Sequence, residues 1–168
     1  IANISEDSQI ALRGGPFEGV FVVTRPLTIV GANQPQIVVI QSQRGPCFLV
    51  TSGTLRLENV SVELPSTLTG ARKAVLEVTQ GTVHAERCQF RSHVADAVSI
   101  HGQGASASFH ECEFLSEKGG GVTVWNRAEA VFLDCSIKET RGIGVSVDTE
   151  ARVKLSGCQI EGSRYLGV

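Results

Sequence analysis

One pattern recurs four times between Val83 and Val168: apolar-x-apolar-x-x-Cys-x-apolar. Its members are Val83, Ala85, Cys88 and Phe90; Ala107, Phe109, Cys112 and Phe114; Ala130, Phe132, Cys135 and Ile137; and Val153, Leu155, Cys158 and Ile160. The four cysteines are 24, 23 and 23 residues apart. Nine residues after each stands a small residue followed by an apolar one: Ala97 and Val98, Gly121 and Val122, Gly144 and Val145, Gly167 and Val168. A fixed period of this length marks a stacked repeat, in which each unit buries its apolar face only against the next.

The kind of repeat follows from the spacing inside each unit. Apolar residues recur at intervals of two, β-branched and aromatic side chains dominate them, and no segment keeps a 3.6-residue period for three turns. The pattern therefore predicts an all-β, parallel β-helix, a solenoid of about 23-residue coils. In-register parallel strands lie about 4.8 Å apart, so equivalent residues of successive coils form columns along the axis. Gly102, Gly104, Gly119, Gly120, Gly142 and Gly162 fall at expected corners, where positive φ or a tight turn is needed. At 168 residues, 42% apolar and net charge −2, the chain suits one elongated core and carries no basic excess for nucleic acid. No run is long and apolar enough for a membrane span, and no motif calls for a cofactor.

Residues 1–9 read as a lead-in or cap, and 10–168 as the stack. The run Ile10-Ala11-Leu12-Arg13-Gly14-Gly15-Pro16-Phe17 alternates and then breaks; Arg25-Pro26-Leu27-Thr28-Ile29-Val30-Gly31-Ala32-Asn33 supplies a further strand and turn. Together with the Cys-centred coils, this order resembles the right-handed parallel β-helix domains of the pectin-lyase-like superfamily. The likeness is closest to the carbohydrate-binding and sugar-hydrolase (CASH) type, also found in F-box-linked β-helix proteins. Many members carry Asn where this chain has Cys. The resemblance implies the fold but no single activity, since the superfamily spans lyases, hydrolases, esterases and binding modules, so function has to be argued from a site.

The middle of the chain keeps the register. Leu55, Leu57, Val60 and Val62 match Val83, Ala85, Cys88 and Phe90, while Leu76 and Val78 match Val98 and Ile100. An earlier coil is expected to contribute Ile37, Val39, Phe48 and Val50. Extra residues from Pro65 to Lys73, including Arg72 and Lys73, bulge from one corner and form a secondary candidate for ligand contact. The absent initiator Met and the stop in mid-repeat suggest a piece of a longer protein. An uncovered strand edge at Gly167 and Val168 leads to an expectation of end-to-end self-association.

The cysteine ladder admits three chemistries. A metal needs ligands converging on one point, which a one-dimensional column does not supply. Stacked Cβ atoms about 4.8 Å apart exceed the separation a disulfide prefers. Free buried thiols remain, packed as small apolar groups with no evident hydrogen-bond partner for a serine in their place. The odd total of five, Cys47 included, favours a reducing, intracellular compartment. The histidines His84, His93 and His101 lie at −4, +5 and +13 from Cys88, and His110 lies at −2 from Cys112. They are expected to share no face and to bind no metal.

Catalysis of the superfamily's kind would require converging carboxylates. Glu86, Glu111, Glu113, Asp134, Asp148, Glu150 and Glu161 read as scattered over different columns, so no catalytic residue is assigned. One outward ladder is more suggestive. Ser99, Thr123 and Ser146 form a column of hydroxyls beside a column of His101, Trp125 and Asp148, with Glu77 and Thr79 on the preceding coil. Trp125 there would offer a flat apolar face flanked by hydrogen-bonding groups, unless it only packs against the 102–105 corner. The expected function is a non-catalytic module that binds a protein or carbohydrate along its surface, the alternative being a polysaccharide lyase or glycoside hydrolase.

Overall fold

A computed structural model describes residues 9–31, 38–66, 73–148 and 150–165. It contains twenty strands, three to a coil. They are β1 Gln9–Ala11, β2 Phe17–Glu18 and β3 Phe21–Val23; β4 Leu27–Val30, β5 Val39–Gln41 and β6 Phe48–Val50; and β7 Thr54–Glu58, β8 Ser61–Leu64 and β9 Leu76–Val78. Next come β10 Gly81–Glu86, β11 Gln89–Ser92 and β12 Val98–His101; β13 Ala105–His110, β14 Glu113–Ser116 and β15 Val122–Trp125; and β16 Glu129–Leu133, β17 Ser136–Lys138 and β18 Val145–Val147. The last two, β19 Arg152–Ser156 and β20 Gln159–Glu161, begin a further coil. Every third strand pairs in parallel, giving sheets β1-β4-β7-β10-β13-β16-β19, β2-β5-β8-β11-β14-β17-β20 and β3-β6-β9-β12-β15-β18. This is the parallel β-solenoid that the repeat predicts. None of the described residues forms a helix, let alone one long and apolar enough to cross a membrane.

The columns are in register. Leu55, Val83 and Ala107 are successive partners in the first sheet, and Val62, Phe90 and Phe114 in the second. Inside, Phe90 stacks on Phe114 and Phe109 on Phe132, and the two stacks meet edge to face. The earlier coil departs from expectation by one residue. Ile40, not Val39, pairs with Val62, and Val38 is fully buried, while Val39 turns outward. A one-residue slip exchanges the two faces of a strand, and a run of four apolar residues, Ile37-Val38-Val39-Ile40, gives sequence alternation nothing to choose by. Ile37 lies outside the described residues, as do Arg72, Gly167 and Val168.

Between the first and second sheets the chain turns on a single left-handed residue. Asn59, Arg87, Glu111 and Asp134 have φ of 54°, 50°, 53° and 52°, and Gly157 takes the same place with φ 65°. Each precedes the Cys-column residue, and their N–H groups donate to Glu86, His110, Leu133 and Ser156 carbonyls of the next coil in turn for the four non-glycine members. The ladder thus offsets the cost of the left-handed conformation for residues other than glycine. It also puts Glu111 and Asp134 in one column, contrary to the scatter expected, because both hold the position before a ladder cysteine. Glycine meets a different demand elsewhere. Gly119 has no positive φ, but a Cβ there would lie 2.3 Å from the carbonyl carbon of Ala95, so coil-to-coil contact and not φ excludes a side chain.

The corner after the second sheet is closed by buried hydroxyls that the apolar pattern does not announce. Ser92 accepts from the N–H of Ala95 at 2.9 Å. Ser116, one coil on, accepts from Gly119 N–H at 2.9 Å and donates to the Ala95 carbonyl at 2.6 Å. Thr140 donates to Ser163 at 2.9 Å or to Gly142, and all three are essentially inaccessible.

Cys88, Cys112 and Cys135 are buried, Cys158 is half-buried, and all are free thiols. The thiols do have acceptors: Cys112 Sγ lies 3.3 Å from the His110 carbonyl and 3.5 Å from that of Ala85, and Cys135 Sγ repeats this with Leu133 and Phe109. The expected lack of partners for a serine is thereby corrected, because the turn at the left-handed corner aims two carbonyls at the column. Burial pushes the Cys112 thiol up, and Cys47, at the other corner, up to about 12.

Two outcomes are expected. In native protein at neutral pH, Cys112 and Cys135 should resist alkylation and appear as reduced thiols by mass spectrometry after denaturation; a disulfide between them would contradict the ladder. Ser116→Ala strands the Gly119 N–H and removes a donor from the Ala95 carbonyl, and should lower unfolding free energy in urea by about 1–3 kcal/mol.

Candidate functional site

On the outer face of the third sheet, Glu77, Ser99, Thr123 and Ser146 are successive partners, and His101 pairs with Trp125. Alternation along β15 turns Val122 and Val124 inward and Thr123 and Trp125 out. Asp148 follows β18, its N–H donating to the Val124 carbonyl at 3.0 Å, so it occupies the next coil beside Trp125. The two outward columns therefore stand where the repeat places them.

What the side chains do with one another is less predictable. The Trp125 indole stacks on the His101 imidazole, with ring centroids 4.5 Å apart and planes at 15°. That distance is close to the spacing of coils, so the rings stack along the solenoid axis. His101 covers one indole face, and Trp125 remains 39% exposed. The stack joins in-register neighbours on successive coils. His101 Nε2 lies 3.4 Å from Glu77 Oε1, and Lys73 Nζ lies 3.6 Å from Glu77 Oε2. Lys73, Glu77, His101 and Trp125 thus run in a continuous row across the coils.

A second carboxylate joins them. Asp96, in the corner before β12, accepts from Gly120 N–H at 2.7 Å through one oxygen and from the Thr123 hydroxyl at 2.8 Å through the other. Both bonds reach into the next coil. Together Lys73, Glu77, Asp96, Ser99, His101 and Trp125 line an open groove of about 380 Å³. Ser146 and Asp148 lie beyond it, and the Thr123 hydroxyl is taken by Asp96. The groove brings together two carboxylates, Glu77 and Asp96, where dispersed acids were expected. Corner residues such as Asp96 do not alternate, so nothing in the periodicity shows which way they reach. Each carboxylate is already engaged, Glu77 by Lys73 and His101 and Asp96 by the next coil.

The histidines also differ from expectation. His84 and His110 stand on the outer face of the first sheet, in neighbouring strands β10 and β13. Their offsets from the cysteines, −4 and −2, have the same parity, which on a strand means the same face. Unequal offsets alone hide this shared parity. His93 is held between Glu63 Oε1, at 3.0 Å, and Glu117 Oε1, at 2.7 Å, on the coils before and after it. Among the described residues no cluster of His, Cys, Asp and Glu could hold a metal.

Residues 38–168 match a family model described as a right handed beta helix region. No curated protein and no solved structure matches the chain.

Because Asp96 bridges coils through both oxygens, Asp96→Ala should cost about 1–3 kcal/mol in urea unfolding, and Asp96→Asn, which keeps one acceptor, should cost less. Equal stability of wild type and Asp96→Ala would mean that water replaces both bonds.

Proposed function

Since the chain belongs to the right-handed β-helix family, whose scaffold leaves chemistry to the exposed columns, we propose that it is a non-catalytic binding module whose third-sheet groove takes a carbohydrate. The observation that carries this reading is the lining. Glu77, Asp96 and Ser99 offer acceptors, Lys73, His101 and the hydroxyl of Ser99 offer donors, and Trp125 supplies an apolar wall. A hydroxyl-rich ligand can satisfy both kinds of group at once, because each hydroxyl donates and accepts. The groove volume of about 380 Å³ suits one or two sugar rings. The resemblance to carbohydrate-binding β-helix domains leads to the same expectation.

The other readings call on different behaviour at the same face. A lyase or hydrolase would use Glu77 and Asp96, so it would have to release them from the neighbours that now hold them. A protein ligand would spread along the columns to Ser146 and Asp148, beyond the groove.

A glycan array and titration calorimetry on wild type and Trp125→Ala test the proposal. Binding of a glycan by wild type, weakened at least about tenfold in the variant with the thermal midpoint kept, is the expected result. Identical binding profiles remove the groove from consideration. Release of sugar products by wild type and not by Glu77→Gln would replace the binding module with an enzyme.

A further inference from the structure

The first sheet carries a different set of groups on its outer face. Thr28, Arg56, His84 and Ser108 are successive partners in β4, β7, β10 and β13, so their side chains stand in one column. The imidazole Nδ1 of His84 lies 2.7 Å from the Ser108 hydroxyl. Glu58 and Glu86 stand in the adjacent column, two residues along the same strands. Both are claimed by Arg87 at the left-handed corner, whose guanidinium pairs with Glu58 Oε1 at 2.6 Å and with Glu86 Oε1. Because that corner arginine takes the neighbouring acids, Arg56 forms no ion pair among the described residues. Thr28, Arg56, Glu58, His84, Glu86 and Ser108 line an open groove of about 310 Å³, separate from the one beside Trp125.

We propose that the Arg56, His84 and Ser108 row is a second binding site, which takes a small oxyanion: a carboxylate or a phosphate monoester. Arginine presents several N–H donors in a plane that matches two oxygens of such a group. The pair beside it always retains a donor to spend. If Ser108 donates to Nδ1, the imidazole carries its proton on Nε2; if Nδ1 donates, the hydroxyl proton of Ser108 is left over. The row thus offers a fixed positive charge and a hydrogen-bond donor one to two coils away, about 4.8 Å to a coil. Partial burial, and then the charge of Arg56, hold the His84 imidazole below its ordinary value. An oxyanion seated between them would offset the charge of Arg56 and raise the His84 titration midpoint.

The test follows the imidazole resonances of His84 by NMR, assigned with His84→Gln, at pH 7 and constant ionic strength. Sodium phosphate and sodium acetate are titrated separately, with sodium chloride making up the salt. A saturable shift of His84 with either probe, accompanied by a rise in its titration midpoint, is expected; saturation by one probe alone identifies the anion class. Arg56→Gln, a surface change that keeps the fold, should weaken that binding at least about tenfold, and Trp125→Ala should leave it unaltered. No saturable shift with either probe, or an equal shift in Arg56→Gln, overturns the proposal, showing Arg56 to be a solvated surface side chain only. Because the readout excludes the third sheet, this result stands or falls independently of the carbohydrate groove.

Discussion

Everything in this molecule depends on the in-register parallel ladder between coils. Each strand donates and accepts with the strands one coil before and after, so the backbone of any coil is satisfied only if its neighbours keep the same path. That condition makes equivalent residues touch. The inward columns are therefore apolar over most of their length: Leu55, Val83, Ala107 and Ala130 follow one another, as do Val62, Phe90, Phe114 and Ile137. The core is therefore a set of columns, and the aromatic stacks of Phe90, Phe114, Phe109 and Phe132 are a consequence of register.

The ladder also sets what corners can be. At the first-to-second sheet corner, one left-handed residue per coil suffices, and its N–H stays in the ladder, so Asn, Arg, Glu and Asp are all accommodated there. The carbonyls turned by that corner point at the cysteine column, giving the thiols weak acceptors in an otherwise apolar place. At the next corner the chain leaves the ladder briefly, and the hydroxyls of Ser92, Ser116 and Thr140 stand in for the missing backbone partners.

Outside, the same stacking joins neighbours that are far apart in sequence. His101 on Trp125, Arg87 across Glu58 and Glu86, and His93 between Glu63 and Glu117 are all contacts between coils. Exposed pairs of this kind contribute little to stability individually. Their larger effect is to decide which charges remain available. Arg87 neutralises the acids beside the first-sheet groove and leaves Arg56, while Lys73 and His101 share Glu77 in the third-sheet groove. The chemistry of each face is set by these local partnerships more than by its composition.

By itself the sequence determined the repeat, its strand character and the inward columns, because apolar spacing of two and a recurrence of 23 or 24 residues are direct projections of a stacked coil. It placed Ser99, Thr123 and Ser146 in one outward column and His101, Trp125 and Asp148 in the next, since parity along a strand is also a sequence property. Only the tertiary structure decided the face of Val38, Val39 and Ile40, where four consecutive apolar residues from Ile37 to Ile40 leave parity undefined. It alone brought Asp96 into the groove beside Glu77, turned the indole of Trp125 onto His101, and set His84 against Ser108. Corners have no period and side-chain rotamers are chosen by neighbours a whole coil away, so these contacts exist only once the coils are stacked.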